Sequence, residues 1–224
     1  HPGNIGAAAR AMKNMGLEHL CLVSPQHYPS AEATARASGA DDLLARASCY
    51  ASLDEALHDA TLVIGTSARC RTLPVPMLDP RACAELTMAQ ADRRRVAVVF
   101  GCERTGLSND ELDRCHYLVQ IPSNPDYPSL NLAAAVQVIA YELRLAAGTA
   151  ALVPQGERDY ASAGQLEQFY AHLEQTLIEL EFLDPENPRQ LMRRLRRLFG
   201  RARPDQNEIN ILRGILTAAA KSAR

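Results

Sequence analysis

Short apolar runs alternate with amphipathic stretches along the first two thirds of the chain. The runs do not alternate in polarity, which is typical of strands that are buried on both faces of a sheet. Because helical patterns separate the runs, parallel pairing in an α/β fold is predicted. Strands are predicted at residues 20–25, 47–51, 61–66, 96–100 and 116–121. Helices are predicted at residues 4–15, 31–37, 52–60, 80–91 and 130–146, with Ser-x-x-Glu capping boxes at Ser52 and Ser108.

The helix predicted at residues 130–146 is apolar on more than one face, so we expect it to be buried all round. The sheet can cover only one side of it. Its alanines allow a close approach of a second backbone, which favours a homodimer formed through this helix. A core helix in a monomer is the alternative interpretation.

The last third of the chain has a different pattern. Residues 151–164 are rich in Gly, Pro and small side chains and are predicted to be a linker. Amphipathic helices are predicted at 165–181, 188–199 and 206–220. The sequence therefore predicts an α/β domain at 1–150 and a small helical extension at 165–224. Because the chain opens on a stretch that resembles a loop entering a helix, we also expect a further strand before residue 1.

Charge is distributed unevenly along the chain. The net charge of −2 argues against a uniformly basic nucleic-acid binder. Residues 1–159 carry 14 Lys and Arg against 18 Asp and Glu, whereas residues 160–224 carry 10 against 8. A patch facing phosphates is favoured there over a solvated surface, because seven arginines occur without an intervening acid: Arg189, Arg193, Arg194, Arg196, Arg197, Arg201 and Arg203.

Several classes of protein are disfavoured. The six cysteines form no C-x-x-C pair, which argues against a zinc site and a disulfide framework. No apolar run approaches about 18 residues and no leader pattern is present, so a cytoplasmic protein with no membrane partner is expected. The motifs of nicotinamide-binding Rossmann enzymes, P-loop NTPases, serine hydrolases and zinc proteases are missing. No metal is expected.

Three polar loops follow three successive predicted strands, at residues 66–71, 101–106 and 122–131. Ligands of open α/β sheets bind beyond the carboxyl ends of the strands. Each loop alone is ordinary turn chemistry. Their occurrence after three successive strands predicts a ligand site shared by the loops.

The residues in and around these loops resemble a known family. Asn4-x-Gly6 with Arg10, the run VVFGCERTGLSNDEL and the run IPSNPDYPSLNLAAAVQVIAYEL resemble the three motifs of the SPOUT, or trefoil-knotted, RNA ribose methyltransferases. The resemblance covers residues 1 to about 147. The segment TSARCRTLPVPMLDP and the helical tail narrow it to members that methylate the 2′-O of cytidine or uridine at the first nucleotide of the tRNA anticodon loop.

The resemblance implies a deep trefoil knot in which S-adenosyl-L-methionine is bound in a bent conformation. The cofactor pocket that it implies consists of Thr66, Ser67, Ala68, Gly101, Ile121, Pro128, Ser129 and Leu130. The catalytic positions that it implies are Asn4, Arg10, Glu103, Ser129 and Asn131. Cys102 stands where the resemblance implies a second basic residue, so no substrate contact is assigned to that position.

Chemistry gives the catalytic positions a purpose. A ribose 2′-OH is a poor nucleophile until its proton is removed, whereas a methyl sulfonium is already a strong electrophile. Because the guanidinium pKa lies above about 12, Arg10 is either a phosphate-assisted base or an orienter of the target phosphate. The partner subunit is expected to supply it. We expect tRNA phosphate contacts from Arg69, Arg71, Arg193 and Arg197. Ribosomal RNA as substrate, or RNA binding without catalysis, are the alternatives.

Overall fold

The computed structural model describes residues 1–68, 75–91, 95–149 and 159–222. Its strands are β1 (Cys21–Val23), β2 (Ser48–Tyr50), β3 (Leu62–Thr66), β4 (Met77–Leu78), β5 (Val96–Val99) and β6 (Tyr117–Val119). They form two sheets, a pair of β1 with β2 and a four-stranded sheet in the order β4-β6-β3-β5. The pairings between these six strands are parallel, which confirms the predicted α/β fold. The trefoil threading of the chain stays a prediction.

Helices connect the strands and form most of the C-terminal part that the structure describes. The first seven are α1 (Pro2–Asn14), α2 (Ala31–Ala37), α3 (Asp41–Ala45), α4 (Leu53–Leu57), α5 (Pro80–Ala91), α6 (Asn109–Leu112) and α7 (Leu132–Thr149). Residues 159–222, which we call the tail, contain α8 (Ala163–Glu179), α9 (Leu191–Ala202) and α10 (Gln206–Ser222). The predicted capping box at Ser108 is present, since Ser108 accepts from the Glu111 amide and Glu111 accepts from the Ser108 amide.

The central strand β3 explains why the four-stranded sheet is buried on both faces. Leu62, Val63 and Ile64 are fully buried. Val63 packs on one face in a cluster that includes Leu57, Leu112 and Leu118. Leu62 and Ile64 pack on the other face against residues of α5 and α7, including Cys83, Ile139 and Leu143. Consecutive apolar residues are needed to bury both faces of the sheet, because alternate side chains of a strand point to opposite faces.

Helix α7 is not buried all round in the single chain, which corrects the prediction from its composition. Ile139 and Leu143 are buried against the sheet and α5, and Val136 packs against Ala8 and Ala11 of α1. On the opposite side Tyr141 is 49% exposed and Leu145 is 46% exposed. One apolar face of α7 therefore remains accessible.

The tail has a core of its own and also packs against the α/β domain. Phe169, Leu173 and Ile209 are buried within it. Ala161, in the predicted linker 151–164, is only 2% exposed, and the Ala163 amide donates to the Ala60 carbonyl at 2.8 Å. Residues 150–158 lie outside the described residues. The described end of the predicted linker is therefore part of the packed structure.

Candidate active site

The described parts of the three polar loops meet at one edge of the four-stranded sheet. Parallel pairing places Thr66 beside Val119 and Gly65 beside Val99, so β3, β5 and β6 all end at this edge. The Thr66 hydroxyl donates to the Val99 carbonyl at 3.1 Å, and the Ser67 amide donates to the Val119 carbonyl at 3.1 Å. We call this the carboxyl edge. The predicted ligand loops are thus brought together.

The loop after β5 folds back on itself, and two glycines make this possible. A Cβ added to Gly101 would lie 2.2 Å from the backbone carbon of Gly106, a distance that no side chain can occupy. The Gly106 amide donates to the Cys102 carbonyl at 2.7 Å, and Gly106 has a φ of +67°, which favours glycine. Leu107 is buried and anchors the loop. Glu103 is therefore held in a tight, exposed turn.

Asn131 has two roles at the start of α7. Its side-chain oxygen accepts from the amides of Ala133 and Ala134, at 3.0 Å and 3.4 Å, which satisfies donors at the start of the helix. These two bonds fix the orientation of the amide group and therefore the direction of its side-chain nitrogen. The nitrogen donates to one carboxylate oxygen of Glu103 at 2.8 Å.

Asn4, in the first turn of α1, completes a three-residue cluster. Its side-chain nitrogen donates to the second oxygen of Glu103 at 2.6 Å, and its oxygen accepts from Asn131 at 3.4 Å. Each oxygen of the Glu103 carboxylate therefore accepts from one amide group. All three bonds are exposed, so the remaining lone pairs of the carboxylate are open to a ligand. Residues separated by up to 127 positions form this cluster.

The residues predicted for the cofactor flank the same edge. Ile121 is half-buried, Leu130 is 37% exposed, and Ala68, Pro128 and Ser129 are exposed. The Pro128 carbonyl accepts from the Ser123 hydroxyl at 3.0 Å, which shapes the loop before Asn131. Apolar side chains beside exposed backbone groups are the lining that a flat, polar-edged ring such as adenine requires. The residues present therefore fit S-adenosylmethionine.

Arg10 is not brought into the cluster within the chain. It is exposed on α1, and no contact of its side chain with Asn4, Glu103 or Asn131 is found among the described residues. Gly6, from the same motif, has a packing role, because a Cβ there would lie 2.0 Å from the Ala33 carbonyl oxygen of α2. The motif of α1 thus combines one cluster residue with one residue that lets two helices pack closely.

None of the four arginines predicted to contact phosphate is observed as an exposed, unpaired side chain in the part of the chain that the structure describes. Arg69 and Arg71 lie outside the described residues. Arg193 donates to the Asp113 carboxylate at 2.7 Å, and the Nε and Nη1 atoms of Arg197 are buried. This geometry does not support the two tail arginines as phosphate contacts. Sequence reasoning missed Asp113, and no local signal pairs it with a residue 80 positions away.

Among residues 1–68, 75–91, 95–149 and 159–222, no helix is long and apolar enough to cross a membrane. The same residues contain no group of three or more His, Cys, Asp or Glu side chains with the arrangement of a metal site.

Comparison with known proteins gives matches over the whole chain. The model of the SpoU rRNA Methylase family matches residues 1–141, and that of the C-terminal domain of tRNA methyltransferase TrmJ matches residues 164–224. The tRNA (cytidine/uridine-2′-O-)-methyltransferase TrmJ of Cronobacter sakazakii is 53% identical over 227 residues, which cover 99% of this chain and 93% of that relative.

Two solved structures are also similar. TrmJ from Z. mobilis ZM4 matches with a TM-score of 0.87 and 34% identity, over 97% of this chain and 94% of that chain. The SpoU methyltransferase AviRb from Streptomyces viridochromogenes, solved in complex with the cofactor AdoMet, matches with a TM-score of 0.53 and 22% identity, over 66% of this chain and 57% of that chain. The second likeness concerns the fold alone.

Proposed function

Because the chain belongs to the SpoU rRNA Methylase family, we propose that it transfers a methyl group from S-adenosyl-L-methionine to a ribose 2′-oxygen of tRNA. The target is cytidine or uridine at the first nucleotide of the anticodon loop. A relative that is 53% identical over nearly the whole chain is named as a tRNA (cytidine/uridine-2′-O-)-methyltransferase, which supports the substrate class, and the tail matches the TrmJ C-terminal model. Action on tRNA agrees with a cytoplasmic location.

The observation that carries the proposal is the Glu103 cluster at the carboxyl edge. S-adenosylmethionine supplies the electrophilic methyl group when it is bound by the loops after β3, β5 and β6. Asn4 and Asn131 hold the Glu103 carboxylate in one orientation, which lowers the cost of ordering it during the reaction. The free lone pairs of Glu103 accept a hydrogen bond from the target ribose or from the guanidinium that orients it.

Arg10 acts from a second copy of the chain. Residues 134, 138, 141 and 145 lie on one stripe of α7 because they recur at intervals of three and four. Ala134, Tyr141 and Leu145 on this stripe are exposed. A homodimer through α7 covers this stripe, and the Arg10 of the partner orients the target phosphate or, with that phosphate, accepts the ribose proton. Arg69 and Arg71 add phosphate contacts.

The tail favours tRNA over ribosomal RNA, since it matches the C-terminal domain of a tRNA methyltransferase. The test is methyl transfer from labelled S-adenosylmethionine to tRNA and to ribosomal RNA, with the product nucleotide mapped. We expect transfer to tRNA alone, and Arg10→Ala and Glu103→Gln should each reduce turnover at least about tenfold.

A chain that binds tRNA but shows no calorimetric heat with S-adenosylmethionine is an RNA-binding module, which contradicts the proposal. Arg46→Ala is the matched control for Arg10→Ala, because Arg46 is an exposed arginine at the end of α3 whose described ion pair is with Asp42 of that helix. If Arg10→Ala leaves turnover unchanged, the role of Arg10 is wrong.

A further inference from the structure

The tail packs at the amino-terminal ends of the strands of the four-stranded sheet, whereas the candidate site lies at their carboxyl ends. The Ala163 amide donates to the Ala60 carbonyl, and the Gly164 amide donates to the His58 carbonyl at 3.0 Å. Ala60 and His58 lie two and four residues before β3, so these contacts are near its amino-terminal end. We call this contact region between the tail and the sheet the seam. Five residues of β3 at about 3.3 Å each separate it from the carboxyl edge by about 16 Å.

Side chains of the tail also hold the seam. Arg203, which follows α9, donates to the Gln90 side-chain oxygen at 2.8 Å and to the Thr61 carbonyl at 3.4 Å. Gln90 is only 5% exposed, so this bond is sheltered from water. A Cβ added to Gly164 would lie 2.6 Å from the His58 ring, which shows how closely α8 approaches. The tail is therefore packed on the sheet and not merely tethered to it.

Arg193 joins α9 to the loop before β6. Its guanidinium lies 2.7 Å from the Asp113 carboxylate, and the two side chains are 30% and 11% exposed. Removing one member of a sheltered ion pair costs more than breaking an exposed pair, because the other charge is left without compensation. The ion pair of Arg193 with Asp113 thus connects the tail to the α/β domain.

Arg197 lies on the same face of α9, one turn after Arg193. Burial lowers its guanidinium pKa, while the negative charge of Asp113 acts in the opposite direction. Its Nε and Nη1 atoms, and the Oδ1 atom of Asp113, are buried and lack a hydrogen-bond partner among the described residues. Arg196 is also occupied, since it pairs with Glu167 in two bonds, one of 2.8 Å, and stacks on Tyr170. These three arginines face protein.

The outward face of α9 is different. Arg194 and Arg201 are exposed, and in the part of the chain that the structure describes neither has an ion pair. They are seven positions apart, so they lie on the same face about 10 Å apart along the helix. Leu198 lies between them and is 48% exposed. Since α9 contains no acidic residue, nothing on the helix offsets these charges.

We propose that Arg193 and Asp113 form a latch that positions the tail, and that the RNA backbone is contacted by the outward face of α9 through Arg194 and Arg201. Arg193 is a positioning residue, and the tail holds a part of the RNA distant from the reacting nucleotide. The inference rests on the proposed function, since it concerns the RNA substrate of the same enzyme.

The test of the latch is a charge swap in the full-length protein. We expect Arg193→Glu and Asp113→Arg each to raise the KM for tRNA about tenfold with little change in kcat, because the tail is misplaced while the active site is intact. The double variant restores the ion pair in reverse and should return the KM most of the way to the wild-type value. If the double variant is as impaired as Arg193→Glu, then Arg193 contacts phosphate directly and the latch is refuted.

The outward face is tested through the salt dependence of tRNA affinity. Each lost phosphate contact lowers the slope of log K against log salt by about one. Arg194→Ala with Arg201→Ala should lower it by about two, whereas the charge-swapped latch should keep the wild-type slope. An unchanged slope in the Arg194 and Arg201 variant overturns this assignment. Arg46→Ala, outside the tail, controls for the loss of an arginine.

The latch can also be measured without activity. Hydrogen exchange at the Ala163 and Gly164 amides, whose bonds form the seam, should accelerate in Arg193→Glu and slow again in the double variant. Asp113→Asn gives the same measurement if Asp113→Arg does not fold. A wild-type protein that fails to methylate tRNA contradicts the proposed function, whereas unchanged exchange in Arg193→Glu contradicts the latch.

Discussion

At the scale of single residues, the candidate site depends on amides that each make two kinds of contact. Asn131 caps α7 through its oxygen and holds Glu103 through its nitrogen. The cap gives the amide a fixed orientation, so the donor is already aimed at the carboxylate before any ligand is bound. Structural and functional roles can be separated here because they use different atoms of one side chain.

Substitution of Asn131 should separate the two roles. Serine is as good an N-cap as asparagine but is too short to replace the amide donor, so Asn131→Ser should keep the free energy of unfolding within about 0.5 kcal/mol. Asn131→Ala should lower the free energy of unfolding by about 1 kcal/mol, because alanine cannot cap the helix. Both should reduce kcat about tenfold or more, because a hydrogen bond to a charged group is lost. Urea unfolding and tRNA methylation measure the two effects, and wild-type kcat in Asn131→Ser would exclude the donor role.

Gly101 tests the folded-back loop. Gly101→Ala places a methyl group against the backbone of Gly106, so we expect a loss of about 1–3 kcal/mol of stability and a displaced Glu103. Gly214→Ala is the control, because nothing lies within 4 Å of that position in α10 and alanine favours helix by up to about 1 kcal/mol. Thermal unfolding and turnover should fall together at position 101 and not at position 214. Equal behaviour of the two variants contradicts a steric requirement for glycine.

At the scale of elements, the hydrophobic pattern predicted most of the fold. The helix predicted at 31–37 is α2, that at 80–91 is α5, and the run 61–66 contains β3. Two short elements were missed, α3 and the two-residue β4, since neither is long enough to show a period. The pattern also could not show that β1 and β2 form a separate sheet, because register between distant segments depends on the tertiary packing.

The candidate site was also predicted only in part, because a sequence does not show which distant residues lie opposite each other in the folded chain. Asn4, Glu103 and Asn131 were identified through a resemblance of motifs, and the structure brings them together. The sequence predicted phosphate contacts for arginines of α9, because it shows their charge but not that Asp113 and Glu167 lie opposite two of them. A run of like charges has the same appearance whether it faces phosphate or carboxylate.

His116, directly before β6, gives the stability of the protein a pH dependence. It is buried, its Nδ1 accepts from the Val63 amide, and burial together with the charge of Arg203 lowers its pKa to about 4 from 6.5. Between these pH values the unfolded chain binds a proton that the folded chain excludes, so stability is complete above pH 6.5 and falls as the pH falls toward 4.

The expected loss between pH 7.5 and pH 5 is about 2 kcal/mol from His116 alone. His116→Gln keeps an acceptor for the Val63 amide but does not titrate, so its free energy of unfolding should fall by about that much less than that of the wild type. His19→Gln, at an exposed position, is the control and should follow the wild type. Parallel curves for His116→Gln and the wild type would mean that His116 does not account for the loss.

At the scale of the whole molecule, the candidate site and the tail lie at opposite ends of the strands of one sheet. The carboxyl edge carries the Glu103 cluster, and the amino-terminal edge carries the tail, about 16 Å away along β3. Arg10 belongs to neither set of contacts within the chain. In the proposed dimer, a second copy of the chain docks on the exposed stripe of α7 and supplies its Arg10 to this site.

A mixed dimer tests this completion directly. Arg10→Ala and Glu103→Gln chains carrying different affinity tags are expressed together, and dimers containing one of each are isolated by two purification steps. If Arg10 serves the partner's site, one site of the mixed dimer has both wild-type residues and the other has neither. Turnover on tRNA should then reach about half that of the wild-type dimer, although each variant alone is impaired. If Arg10 serves its own chain, both sites of the mixed dimer are defective and turnover stays at the level of the single variants.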